Sequence, residues 1–142
     1  STTGIVIERR PPSQSAPLAQ TPRCVVLHHE GVPEPHFDVL FALSEGAPAP
    51  TWRASRWPPE PGDHLVRIAD HRPFYLDHEG TVPGDRGTVR RVFADHCTHL
   101  HLQEGLLEAT LSDGTELTLS KDSPHQWLCW LIPGRRQPNG YR

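Results

Sequence analysis

Short stretches of alternating hydrophobic and polar residues run along most of the chain, separated by turn-forming residues. A period of two with many β-branched residues is typical of strands, and no stretch keeps the 3.6-residue period of a long amphipathic helix. The pattern predicts strands over residues 24–29, 36–43, 65–69, 87–93, 98–103, 106–111, 115–120 and 126–132. At most one helical turn is predicted, within residues 72–76.

The clearest turn signal lies in LLEATLSDGTELTLS, where Asp113-Gly114 separates two alternating runs. This dipeptide favours the positive φ angles that a tight antiparallel hairpin needs. About eight short strands joined by turns predict an all-β fold, a compact antiparallel β-barrel with little helix.

Proline-rich segments indicate how the chain is divided. Residues 1–22 hold a short apolar run at 5–7, which could pair on a sheet edge, followed by ERRPPSQSAPLAQTP, which is typical of an extended strap or linker. The β-barrel domain is predicted over residues 23–133 and a tail over residues 134–142. A chain of 142 residues is long enough to bury one core without disulfides.

Composition restricts the possible partners and compartment. A net charge of −3 argues against a protein that coats long nucleic acid, although a local site for one phosphate end remains compatible. The three cysteines are an odd number, and no apolar run is long enough for a signal segment or a membrane span. We therefore expect a cytoplasmic monomer without membrane association, whose cysteines are small buried hydrophobes.

Candidate metal ligands lie in the segment CVVLHHEGVPEPHFD, residues 24–38. His36 and Asp38 are two apart on a predicted strand and therefore share one face, and a proline-containing loop can return His29 beside them. His28 is an equal claimant from spacing alone, but only one of the two neighbouring histidines can face the site. Two imidazoles and a carboxylate at the mouth of the barrel would suit Mn²⁺, Zn²⁺ or another divalent ion.

Other residues could also take part in chemistry. His71 could donate a proton near neutral pH, and Tyr75 could donate a second hydrogen bond. Alternatively, both have structural roles, His71 in a turn and Tyr75 as an aromatic ring at the edge of the core.

His99 and His101 share a strand face, and we interpret them as ordinary strand residues. Of the four tryptophans, which could stack on bases, Trp127 and Trp130 are predicted to lie in the core.

Several motifs occur together in an order that resembles the phosphoesterase domain of bacterial ligase D, a DNA end-joining enzyme. They are VLHHEG, HFDVLF, TWRASRWP, RIADHRPFYLDHEGTVP and DRGTV, within residues 24–93, with a looser similarity through QWLCWLIP. The resemblance implies a β-barrel that trims the 3′ ends of nucleic-acid strands to leave a 3′-hydroxyl. It also implies Mn²⁺ as the cofactor and ligase and polymerase proteins as partners in DNA repair.

The resemblance also implies roles for individual residues. His29, His36 and Asp38 fall on the metal ligands of the family. His71 and Tyr75 fall on its D-H-P-x-x-Y histidine and tyrosine, and Arg56 falls on its lysine.

The chain departs from the family at Leu40, where the family has an arginine on the face of the ligands. Arg56 is therefore the predicted phosphate contact, ahead of Arg90 and Arg91, and Leu40→Arg is expected to raise phosphate affinity. The departure also supports an alternative, a catalytically degenerate relative that binds metal, nucleic-acid ends or proteins without turnover. A third possibility is a small-molecule metalloenzyme on a cupin-like barrel.

Overall fold

The computed structural model describes residues 21–134 of the chain. Its strands are β1 Arg23–Glu30, β2 His36–Ala42, β3 Ala49–Ala54, β4 His64–His71, β5 Gly80–Thr81, β6 Thr88–Gln103, β7 Leu106–Leu111, β8 Glu116–Lys121 and β9 Gln126–Ile132. The helical element of the described range is the 3₁₀ turn Pro73–Leu76. No helix within this range is long and apolar enough to cross a membrane. Most of the predicted strap and tail, with the pairing of residues 5–7, lies outside the described residues.

The strands form one antiparallel sheet in which eight members close into a ring. The order is β1-β2-β3-β4-β9-β8-β7-β6-β5, and β1 also pairs with β6. Strand β5 lies outside this ring and pairs with the first two residues of β6. The predicted all-β fold of antiparallel strands with little helix is confirmed, and the ring is barrel-like.

The strands of the ring differ from the predicted set at two places. Strand β3 was not predicted because Pro48 and Pro50 flank or interrupt it, but Pro50 sits at an irregularity of the β3–β4 pairing, where a missing N–H is tolerated. Predicted strands 87–93 and 98–103 are one strand, β6. It stays continuous because it changes partner along its length, from β1 to β7.

Side chains from all eight ring strands fill the interior. Val26, Phe41, Trp52 and Trp127 belong to this core, and the two indole rings meet edge to face with centroids 5.1 Å apart. Trp130 does not, since it is 50% exposed. Trp127 and Trp130 are three residues apart on one strand and therefore point to opposite faces, so the prediction that both lie in the core was wrong.

A second apolar cluster covers the outside of the ring on β1, β2 and β3. Leu27, Leu40 and Ala49 of these strands pack with Leu76 and Val82. These two residues belong to the connection between β4 and β6, which lies over the outer face. Strands β1 and β2 are therefore buried on both faces, and this explains why their central residues are uniformly apolar rather than alternating.

The β7–β8 hairpin turns at the predicted Asp113-Gly114 dipeptide, although with a different geometry. Gly114 has φ +89°, whereas Asp113 does not have a positive φ angle. The Leu111 N–H donates to the Thr115 carbonyl at 2.8 Å, and the Asp113 carboxylate accepts from the Thr115 N–H at 2.8 Å. A single left-handed glycine is therefore enough for this turn, where the sequence pattern predicted two positive φ angles.

The cysteines Cys24, Cys97 and Cys129 are all buried free thiols. Burial raises the pKa of Cys97 to about 11 and of Cys129 to about 12, and it raises the pKa of Cys24 well above its usual value. The thiols therefore stay protonated at pH 8, and a protonated thiol reacts far more slowly than a thiolate.

We expect iodoacetamide to label none of the three cysteines in the native protein and all of them in denaturant, as measured by mass spectrometry. Rapid native labelling would contradict this packing.

Candidate metal centre

The β1–β2 hairpin brings the predicted ligands together. In its register His29 lies opposite His36 and Leu27 lies opposite Asp38. Residues directly opposite each other, and those two apart along a strand, share one face of a sheet. That face is the outside of the ring, because Phe37 and Val39 on the other face of β2 pack with the interior core. The three side chains therefore meet on the outer surface of the sheet and not at the mouth of the barrel.

The ligand atoms of the three residues lie close together. One atom from each of His29, His36 and Asp38 falls within 4.8 Å of the others. His36 Nε2 is 3.4 Å from Asp38 Oδ1, and His29 Nδ1 is 4.0 Å from Asp38 Oδ2. The cluster is shielded from solvent, since Asp38 is 3% and His36 8% exposed.

Backbone carbonyls determine which ring nitrogens face Asp38. His29 Nε2 donates to the Arg86 carbonyl at 2.6 Å, and His36 Nδ1 donates to the Glu34 carbonyl at 2.8 Å. A carbonyl oxygen can only accept, so these nitrogens carry the protons in the neutral rings. The unprotonated nitrogens then face the carboxylate, and a carbonyl that accepts from the other ring nitrogen is the usual support of a metal-ligating histidine.

A divalent ion fits the atoms of this cluster. His36 Nε2 and Asp38 Oδ1 are buried and have no hydrogen-bond partner within the described part of the chain. His36 Nε2 is an acceptor when the ring is neutral, and Asp38 Oδ1 is an acceptor in the carboxylate. Two buried acceptors that face each other cost free energy unless a cation or a proton lies between them. Nitrogen and oxygen donors without sulfur suit ions such as Mn²⁺ or Zn²⁺.

The approach of the β5–β6 turn to this site depends on Gly87. This glycine has φ +81°, and a Cβ atom there would clash with the carbonyl oxygen of Glu30. Its small size and left-handed backbone allow the turn to pack against the end of β1. The carbonyl of the neighbouring Arg86 thereby accepts the hydrogen bond from His29 Nε2.

His71 and Tyr75 lie beside the three candidate ligands. Strand β4 ends at His71, whose Nε2 is 3.4 Å from Asp38 Oδ2 and whose Nδ1 is 3.3 Å from the Ala69 carbonyl. Tyr75 sits in the 3₁₀ turn that follows, and its ring meets the His71 ring edge-on with centroids 5.7 Å apart. Together with His29 and Asp38, these two residues line a cavity of about 410 Å³.

The structure does not place Arg56 in this cavity. Its Nε and Nη2 both donate to the Asp63 carboxylate at 2.7 Å, and Nη2 is also 3.3 Å from Glu60. The hydrogen bond from Arg56, with help from the Glu60 N–H, lowers the pKa of Asp63 to about 2. The Asp63 hydrogen bond in turn raises the pKa of Arg56. This guanidinium is held by neighbouring acids on a separate turn.

Three arginines that the sequence analysis missed line the cavity instead: Arg53, Arg72 and Arg86. Arg53 lies opposite Asp38 in the β2–β3 register, and its Nε is 3.8 Å from Asp38 Oδ1. Recognition of β3 from the sequence would have found it, because Arg53 alternates with the buried Trp52. Arg86 lies in a turn, where no periodic pattern marks a face.

Leu40 lies on the ligand face but is fully buried. It packs with Leu27, Leu76 and Val82 in the outer apolar cluster. The connection between β4 and β6 covers it, whereas Asp38, two residues earlier, borders the cavity. Leu40 is therefore an apolar packing residue and does not border the cavity.

The remaining histidine and arginine candidates point elsewhere. The His28 ring stacks on Phe37 with centroids 4.4 Å apart, and its Nδ1 is 2.8 Å from Glu30. His99 and His101 are stacked on an exposed face of β6, with centroids 6.5 Å apart. Arg90 is exposed, and Arg91 donates to the Leu76 carbonyl at 3.1 Å.

Comparison of the chain with protein-family models gave no match, and a search of the curated proteins gave none either. The fold and the site define a barrel-like β protein with a candidate His-His-Asp metal centre on the outer face of its sheet.

Proposed function

We propose that this chain is a metal-dependent phosphoesterase that trims the 3′ ends of nucleic-acid strands and leaves a 3′-hydroxyl that a ligase can join. The observation that carries the proposal is a pair of buried acceptors, His36 Nε2 and Asp38 Oδ1, which have no hydrogen-bond partner among residues 21–134 and lie beside a cavity lined by arginines. The nucleic-acid substrate, the role in DNA repair, and the ligase and polymerase partners come from the resemblance to ligase D. The arginines give this region positive charge in a chain of net charge −3.

The residues around the cavity have complementary roles in this proposal. A divalent ion, Mn²⁺ by the resemblance, held by His29, His36 and Asp38 would supply Lewis-acid activation of a phosphate oxygen and of water. His71 in its imidazolium form can donate from Nε2 toward a phosphate oxygen, while its Nδ1 faces the Ala69 carbonyl. The Tyr75 phenol supplies a second donor on the same wall. These donors stabilise negative charge that develops on the phosphate.

A second candidate function is metal binding without turnover. It is favoured by the burial of Leu40 at the position of the family's arginine, and by the engagement of Arg56 with Asp63. Such a protein would retain the ion and bind nucleic-acid ends or proteins.

A 3′-phosphorylated oligonucleotide incubated with Mn²⁺ tests the proposal. We expect the protein to release inorganic phosphate from it, and we expect EDTA or the substitution Asp38→Asn to abolish the release. The same oligonucleotide with a 5′-phosphate is the matched substrate, and it should be left intact. Bound Mn²⁺ with no phosphate release from either substrate would support the second candidate instead.

A further inference from the structure

We infer that Arg53 is the residue that binds the substrate phosphate in this chain. The inference rests on the proposed function and assigns its phosphate-recognition element. The resemblance gives Arg53 no role and favoured Arg56 instead.

The position of Arg53 fits a contact with a ligand at the metal centre. It faces Asp38 across the β2–β3 pair and lines the cavity. Its side chain is 47% exposed although the other residues of β3 are buried. A guanidinium at this position can reach into the cavity from a rigid strand, which holds a contact more accurately than a loop does.

The hydrogen-bonding groups of Arg53 are available for a ligand. Within the described residues its ion pair is with Asp38, and the Nε to Oδ1 distance of 3.8 Å is too long for a hydrogen bond. Arg56, by contrast, already makes two hydrogen bonds of 2.7 Å with Asp63. A planar guanidinium binds phosphate through two parallel N–H groups, so Arg53, whose guanidinium makes no hydrogen bond within the described residues, is the better donor to an anion.

Phosphate binding at Arg53 should depend on whether a divalent ion is bound at Asp38. Asp38 carries one negative charge, and a divalent ion bound there outweighs it. Arg53 then lies beside excess positive charge, which an incoming phosphate monoester dianion offsets. Phosphate should therefore bind well only after the ion, and Arg53 should strengthen phosphate binding while slightly opposing ion binding by repulsion.

Three variants test the inference: Arg53→Ala, Arg53→Lys and the matched control Arg56→Ala. Mn²⁺ affinity is measured by electron paramagnetic resonance. Inorganic phosphate is the anion probe, and its affinity is measured from the broadening of its ³¹P resonance by bound Mn²⁺. We expect Arg53→Ala to lower phosphate affinity roughly tenfold to a hundredfold and to leave Mn²⁺ affinity equal or higher. Arg53→Lys should fall in between, and Arg56→Ala should resemble wild type.

Each outcome has a defined meaning. Loss of both affinities in Arg53→Ala would indicate a merely structural role and overturn the inference. Wild-type phosphate affinity in Arg53→Ala would overturn it too, as would a loss confined to Arg56→Ala, and the proposed function would survive these results. Wild-type protein that binds neither Mn²⁺ nor phosphate would overturn both proposals.

Discussion

Asp38→Asn is expected to lower Mn²⁺ affinity by more than about a hundredfold, since even residues that only support a metal ligand affect affinity by about ten- to a hundredfold. The substitution keeps the size of the side chain but removes the one negative charge among the three candidate ligands. It leaves two neutral imidazoles, which bind a hard divalent ion weakly. Isothermal titration calorimetry and electron paramagnetic resonance measure the change.

The asparagine variant should remain folded, which separates lost binding from lost structure. Its amide N–H can donate to His36 Nε2, which is buried without a hydrogen-bond partner in the described structure. Its unfolding free energy without metal should therefore equal or exceed that of wild type.

His36→Ala should lose Mn²⁺ binding as well, whereas His71→Ala should keep Mn²⁺ binding and lose phosphate release. Equal Mn²⁺ affinity in all of these variants would refute the ligand assignment.

Leu40→Arg is expected to reduce the unfolding free energy by about 4 kcal/mol or more, as for a charge buried without a partner. The sequence predicted a gain of phosphate affinity from this change, but Leu40 is fully buried under Leu76 and Val82. The guanidinium would have to displace the connection between β4 and β6 to reach water. Urea denaturation measures the loss.

Leu43→Arg is the matched control for this substitution. Leu43 lies just beyond the end of β2 and is 41% exposed, so the same change there should alter stability by no more than about 0.5 kcal/mol. Native-like stability of Leu40→Arg, together with tighter phosphate binding, would show that this part of the outer face is open.

Much of the fold could be predicted because the chain carries local signals for it. Alternation or β-branched apolar runs placed β1, β2, β7 and β9, and the Asp113-Gly114 dipeptide placed one hairpin. Strand β3 was missed because it contains Pro50, which lies at an irregularity in the pairing with β4. The length of β6 was missed because its continuity depends on two different partner strands.

The sequence by itself determined that the chain is rich in β-strands and that His36 and Asp38 share a face with His29 within reach, because these properties follow from spacing along one hairpin. Only the tertiary structure decided that this face is the outside of the ring, that Leu40 is covered, and that Arg53 rather than Arg56 borders the candidate ligands. Those outcomes depend on where the connection between β4 and β6 packs and on which strand lies beside β2. Burial and pairing between distant segments arise from the whole ring, and no local pattern of residues encodes them.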